Sequence, residues 1–344
     1  MHYLKTIFGI WWLSPLGNLW LVVNGSTRLR LTLMGPLSAT KLVLLQKVLH
    51  RSMRLIMSWT WAELLSWAGL INYKTVDTLV EFNAHLTPSG GKPLSNPSLY
   101  KRLVGSLVYF IVIRLDISYA IHQVSQYLFV PWSTHYAVVL HILRYLKSTL
   151  FHGLFYSAQS PLVLCVFSDV DWAGDPTDCK STTGYCFLLG SSLISWQSKK
   201  QTHVAHSSTE VEYRALVDTT SELLWLQWLL KDLGVFTSST TPLYCDNQSA
   251  IHIAHNDVFH EWAKHIEFNF HFIRYHFVHS AFKLISIFSI DQLTDIFTKS
   301  HPKGCLCGLV DNLNLVSYPP WVLGGGGLLT YIVFWALGLI RLLI

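Results

Sequence analysis

Between residues 161 and 300 the chain alternates short apolar runs with amphipathic stretches, and this alternation constrains the fold more than any other feature. PLVLCVFSD reads as a buried strand, and GYCFLLG and SLISWQS as two more, joined at the Gly190-Ser191-Ser192 turn. Ser207 to Leu233 has the pattern of a long amphipathic helix stopped by Gly234. PLYCD is then a short strand, QSAIHIAHN a helix, His265 to His279 another helix, AFKLISIFS a last strand and Asp291 to Thr298 a final helix. Three hairpin-joined strands followed by helix, strand, helix, strand and helix predict an α/β layer fold with a mixed sheet and flanking helices.

The text before this region is of another kind. Residues 1–60 carry no motif and no clean periodicity, and they are left without an assigned fold. From Trp61 a short apolar helix leads into the linker HLTPSGGKPLSNPS. Asn96-Pro97-Ser98 then starts a helix on which Leu103, Val104, Leu107, Val108 and Ile111 recur at helical spacing. Further helices are expected over Asp116–Leu128 and Ser133–Leu150, separated at Pro131. On the latter, Arg144 and Lys147 share a face, suited either to phosphate contact or to plain solvation.

Charge divides the chain in the same place. Residues 1–160 hold 14 Lys+Arg against 4 Asp+Glu, whereas residues 161–300 hold 9 against 15. A basic front half before a carboxylate-bearing half suits a grip on a phosphate backbone beside a site that recruits divalent cations. Charged residues are only 13% of the whole, so the surface is sparsely charged and points to partners or poor solubility. Six cysteines with no CxxC pair indicate a reducing compartment without structural zinc. The apolar stretch Ile7–Val23 is interrupted by Pro15 and Asn18, which weakens it as a leader. The tail GGGGLLTYIVFWALGLIRLLI has about 18 apolar residues, near the minimum for a bilayer helix, and residues 327–344 carry the expectation of membrane contact.

Four carboxylates stand at the stations where such a sheet places chemistry. Asp169 ends the first strand in FSDVDWAGD, and Asp171 points the same way if the strand continues. Glu212 lies in the first turns of the long helix, where Glu210 and Ser207 already have the spacing of a capping box. Asp246 closes PLYCD, a place that serves equally as a helix N-cap or as the ligand edge of a sheet. Asp295 and Asp291 both lie on the last helix, and periodicity does not choose between them. Brought to one sheet edge, such hard oxygen ligands suit two Mg²⁺ ions, which activate water and stabilise the leaving oxygen of a phosphodiester; Mn²⁺ fits the same ligands.

From about Leu64 to Lys303 the sequence resembles the C-terminal part of copia-type LTR retrotransposon polyproteins. The matching text includes AGLINYKTVDT, SLYKRLVGSLVYF, RLDISYAIHQVSQYL, SDVDWAGDPTDCKSTTGYCFLLGSSLISWQSKKQ, SSTEVEYRAL, CDNQSAI and DIFTK. The resemblance implies a Pol polyprotein fragment. Residues 61–157 would be the mainly helical end of a reverse transcriptase, and 158–303 a ribonuclease H-like domain. Residues 1–60 stay unassigned, and 304–344 form the hydrophobic tail. It implies the metal set Asp169, Glu212, Asp246 and Asp295, the last preferred to Asp291 because it precedes I-F-T-K. It also implies an RNA–DNA hybrid as partner and a cytoplasmic or nuclear location. No Asp-Asp pair occurs anywhere, so the polymerase dyad of such enzymes is missing. Leu115 where relatives have proline, Cys179 and Trp262 at usually basic positions, and Asn269 for aspartate are departures of the kind left by drift. An inert nucleic-acid-binding remnant is the alternative expectation.

Overall fold

The structure, a computed structural model, describes residues 61–80, 86–157, 159–232, 234–235, 240–256 and 267–317. It also gives the backbone of an antiparallel three-stranded sheet, β1 (Ile10–Trp11), β2 (Leu19–Val23) and β3 (Leu29–Leu33). The apolar tail over 327–344, Trp262 and the expected helix start at His265 lie outside the described residues. Among the described residues no helix is long and apolar enough to cross a membrane.

Helices dominate before the main sheet: α1 (described over 61–67), α2 (Pro97–Phe110), α3 (Ser118–Ser125) and α4 (Ser133–Ser148). The Asn96 side chain accepts the Leu99 N–H at 3.1 Å and Pro97 occupies the first turn, so α2 begins where its sequence signal stands. The helix expected from Asp116 starts instead as a 3₁₀ turn over Leu115–Ile117. Asp116 is held there by a bidentate ion pair with Arg114, at 3.0 and 2.6 Å, and by the Tyr145 hydroxyl at 2.8 Å. Arg114 also donates to the Thr149 carbonyl and hydroxyl, so this buried pair ties the end of α4 to the start of α3. Lys147 is not free for phosphate: its ammonium donates to the carbonyls of Leu70, Ile71 and Tyr73.

A three-residue turn, 149–151, separates α4 from β4 (His152–Leu154), after which the main sheet is built from β5 (Leu164–Val170), β6 (Thr182–Leu189), β7 (Ser192–Lys200), β8 (Thr241–Cys245) and β9 (Phe282–Ser286). Its spatial order is β7-β6-β5-β8-β9. The first three strands pair antiparallel, while β8 runs parallel to both β5 and β9. This is the mixed α/β sheet with flanking helices that the alternation predicts. At the β6–β7 turn Gly190 has φ +62°, and a Cβ there would meet Ser160 and Pro161 within about 2 Å, so the turn admits only glycine.

The helices between these strands are α5 (Ser208–Asp232), α6 (Gln248–His255) and α7 (Glu267–Val278), and α8 (Asp295–Thr298) and α9 (Lys303–Asn312) follow β9. Strand alternation sorts the core into two faces. Tyr185, Phe187 and Leu189 of β6 pack with Leu243 and Phe282 beneath α5, α6 and α7. Cys186 and Leu188, with Leu193 and Trp196 of β7, share a core with Leu103, Leu107, Ile121 and Ile142 of the helical segment and with Phe297 of α8. The helices before residue 157 therefore form the third layer of the sheet. Beyond α9, β10 (Leu315–Ser317) returns to pair antiparallel with β4.

Candidate functional site

β5 and β8 are neighbouring parallel strands, so their C-terminal ends open on the same edge. Asp169 is the next-to-last residue of β5, and Asp246 follows β8 immediately. Asp246 does not cap α6. That position belongs to Asn247, whose side chain accepts the Ala250 N–H at 2.9 Å, which leaves the Asp246 carboxylate to accept the Ser289 hydroxyl at 2.8 Å. Glu212 enters the same edge from the second turn of α5, and it is buried. Glu210 performs the capping duty its spacing suggests, with Ser207 Oγ accepting the Glu210 N–H at 3.1 Å and the Glu210 carboxylate accepting the His206 N–H at 2.9 Å.

The helix expected over Asp291–Thr298 is shorter than its sequence suggests. Asp291 ends a separate 3₁₀ turn, Ser289–Asp291, and is exposed, whereas Asp295 opens α8 and faces the site. The Asp295 charge acts directly on the Asp169 carboxyl. Thr298, one turn on, donates its hydroxyl to Asp169 Oδ2 at 2.6 Å. α8 can approach β6 this closely because Gly184 lies beneath it; a Cβ there would come within 2.7 Å of Thr298 and 2.9 Å of Phe297.

All four carboxyls expected from the sequence thus sit in one electrostatic cluster. Burial, then the Asp295 charge, raises Asp169 to about 7, against the opposing Thr298 hydrogen bond. Burial followed by the Asp169 and Asp246 charges pushes Glu212 well above the carboxylate range, and burial raises Asp295. Crowded carboxyls of this kind attract a cation, which competes with their protons. The nearest compensation is Lys299, whose ammonium lies 2.8 Å from Asp295 Oδ1. Asp171 is also raised to about 7, chiefly by burial, but it accepts the backbone N–H of Thr182 and serves the turn after β5.

One set of converging ligand atoms among the described residues is not purely carboxylate. Glu212, Cys245 and Asp246 present one ligand atom each, all within 4.8 Å of one another. Sequence reasoning missed Cys245, Thr298, Lys299 and Ser289, since hydroxyls, a thiol and a lysine next to a carboxylate carry no spacing signal of their own. The buried hard-oxygen donors with a net negative charge fit Mg²⁺ or Mn²⁺.

No family model matches the sequence. The chain is 39% identical over 258 residues to the retrovirus-related Pol polyprotein from transposon RE2 of Arabidopsis thaliana, an alignment covering 75% of this chain and 18% of that protein. It is likewise 39% identical over 205 residues to the retrovirus-related Pol polyprotein from transposon TNT 1-94 of Nicotiana tabacum, covering 59% and 15%. The chain therefore spans less than a fifth of the length of these curated relatives. Among solved structures, LC11-RNase H1 from compost aligns with 40% of this chain and 93% of its own at 12% identity, with a TM-score of 0.30.

Proposed function

Because the chain belongs with the retrovirus-related Pol polyproteins of copia-type transposons, we propose that its sheet-edge carboxylates form a ribonuclease H-type centre that hydrolyses the RNA strand of RNA–DNA hybrids. The observation that carries this reading is the gathering of Asp169, Glu212, Asp246 and Asp295 from four separate elements at one sheet edge, where Asp169, Glu212 and Asp295 are raised by burial and by neighbouring carboxylates.

In this reading Asp169 and Asp246, together with Glu212 and Asp295, would be the residues that hold Mg²⁺. Mg²⁺ supplies there the activation of water and the stabilisation of the leaving oxygen. The protein's own part is placement. Thr298 fixes one oxygen of Asp169, Ser289 fixes one of Asp246, and burial of Glu212 keeps its carboxyl from turning to solvent. Lys299 offsets part of the negative charge that would otherwise repel a phosphodiester. The excess of Lys and Arg before residue 160 favours contact with the nucleic-acid backbone, and the 2′-hydroxyl distinguishes the strand to be cut.

The test is incubation of the full chain with a hybrid labelled on the RNA strand, in Mg²⁺ and in chelator. Mg²⁺-dependent cleavage that disappears in Asp169→Asn is the expected result. A folded wild-type chain that binds the hybrid in a salt-sensitive way and leaves it intact would assign the inert-remnant alternative instead.

A further inference from the structure

One ligand in the centre is out of character with magnesium. Cys245 ends β8 with its thiol buried, and Sγ lies 4.0 Å from Glu212 Oε2 and 3.9 Å from the Asn247 carbonyl. Neither distance is short, so the thiol contributes little as a hydrogen-bond donor. Its position is more telling: Sγ, a Glu212 oxygen and an Asp246 oxygen converge within 4.8 Å, and two of the three residues are buried. Mg²⁺ takes oxygen ligands and leaves thiols alone, whereas Zn²⁺ and Co²⁺ accept sulfur and oxygen together. Around a tetrahedral ion with ordinary zinc–sulfur and zinc–oxygen bonds, ligand atoms stand about 3.3–3.5 Å apart. Side-chain shifts of about half an ångström would close the Cys245–Glu212 pair to that spacing.

We propose that Cys245, Glu212 and Asp246 form a site for a thiophilic divalent cation of the Zn²⁺ class, sharing two of its three ligands with the carboxylate centre. Binding replaces protons: Cys–SH and M²⁺ give a metal thiolate, and the thiol proton, together with the proton on the Glu212 carboxyl, passes to buffer. Glu212 and Asp246 cannot serve this ion and a magnesium ion in the same geometry, so occupancy by Zn²⁺ excludes at least one Mg²⁺. The centre is thus divided by softness. Asp169 and Asp295 make an all-oxygen half, and the β8 end makes a half that a trace of zinc would occupy first. Only the consequence for cleavage rests on the ribonuclease reading; the binding itself does not.

The experiment is a Co²⁺ titration of the metal-stripped full chain carrying Cys179→Ser, Cys305→Ser and Cys307→Ser, which removes the exposed thiols. Sulfur-to-cobalt charge transfer in the near ultraviolet reports a thiolate ligand directly and needs no catalysis. The expected result is a band saturating at one equivalent, bleached by equimolar Zn²⁺ and untouched by excess Mg²⁺. Adding Cys245→Ser should abolish the band and weaken cobalt binding at least about tenfold. Glu212→Gln should weaken binding while the bound ion keeps its band. A band that survives Cys245→Ser, or cobalt bound without a band by a parent chain of native circular dichroism, would overturn the proposal. Cys245→Ala, judged by the same spectrum, separates loss of a ligand from loss of fold. A chain that gives the band and fails to cleave hybrid would sink the ribonuclease reading alone.

Discussion

Asp169 keeps its proton to about pH 7 because it is buried against Asp295, and Asp171 does the same because it is buried in the following turn. Both have ordinary values near 3.8. Between about pH 4 and 7 the folded chain therefore binds more protons than the unfolded one, and stability falls as pH rises through that window. The metal-free chain is expected to melt at a lower temperature at pH 8 than at pH 5 in calorimetry, and Asp169→Asn should flatten the dependence. Mg²⁺ should raise the melting temperature far more at pH 8 than at pH 5, since it binds the deprotonated carboxyls. Equal stabilisation at both pH values would remove the cation-seeking account of these shifts. At this scale the resemblance pointed to Asp169, Glu212, Asp246 and Asp295 and preferred Asp295 to Asp291; the structure gathers those four carboxyls at one edge and leaves Asp291 exposed. What stayed hidden were the residues that hold them, because Thr298 donates across 129 positions of sequence and Ser289 across 43.

α8 is only four residues long, yet it carries both Asp295 and the hydroxyl that fixes Asp169. Its seat is Gly184 on β6. Gly184→Ala should push α8 off the sheet, because the new methyl would meet the Phe297 Cβ and the Thr294 carbonyl as well as the movable Thr298 side chain. Cleavage should fall with Gly184→Ala and stability by about 1–3 kcal/mol, the usual cost of overpacking, read by urea denaturation. Unchanged activity would show that α8 is not held where the site needs it. The Arg114–Asp116 pair makes a second element-scale case, since both side chains are almost wholly buried. Asp116→Asn strands the guanidinium and is expected to cost about 3–5 kcal/mol, whereas replacing both partners with apolar residues should recover much of the loss. Element types and order were readable because apolar runs, proline at Pro97 and glycine at Gly234 act locally. The 3₁₀ turns at Leu115–Ile117 and Ser289–Asp291 were not, since contacts distant in sequence shorten those helices.

On the whole-molecule scale the sheet is a wall between two cores, and one of them is completed by residues far upstream. Across the expected division at 157, Cys186, Leu188, Leu193 and Trp196 share a core with residues of α2, α3 and α4. A fragment beginning at residue 158 should expose that face, bind a hydrophobic dye and lose the sharp denaturation expected of the full chain. A fragment with a sharp transition of its own would show the upstream helices to be a detachable cover. No periodicity could have announced this layer, because an amphipathic helix shows that it is covered and not by what. The β4–β10 pairing gives the same unit a closing point. Leu154 meets Leu315, and the Asn314 amide reaches back to the Ser191 carbonyl at 2.7 Å. During synthesis β4 leaves the ribosome long before its partner exists, and the intervening sheet is laid down first. A nascent chain halted before residue 315 would lack the β4–β10 pairing, so the scaffold around the carboxylates is closed last, by a strand that contributes none of them.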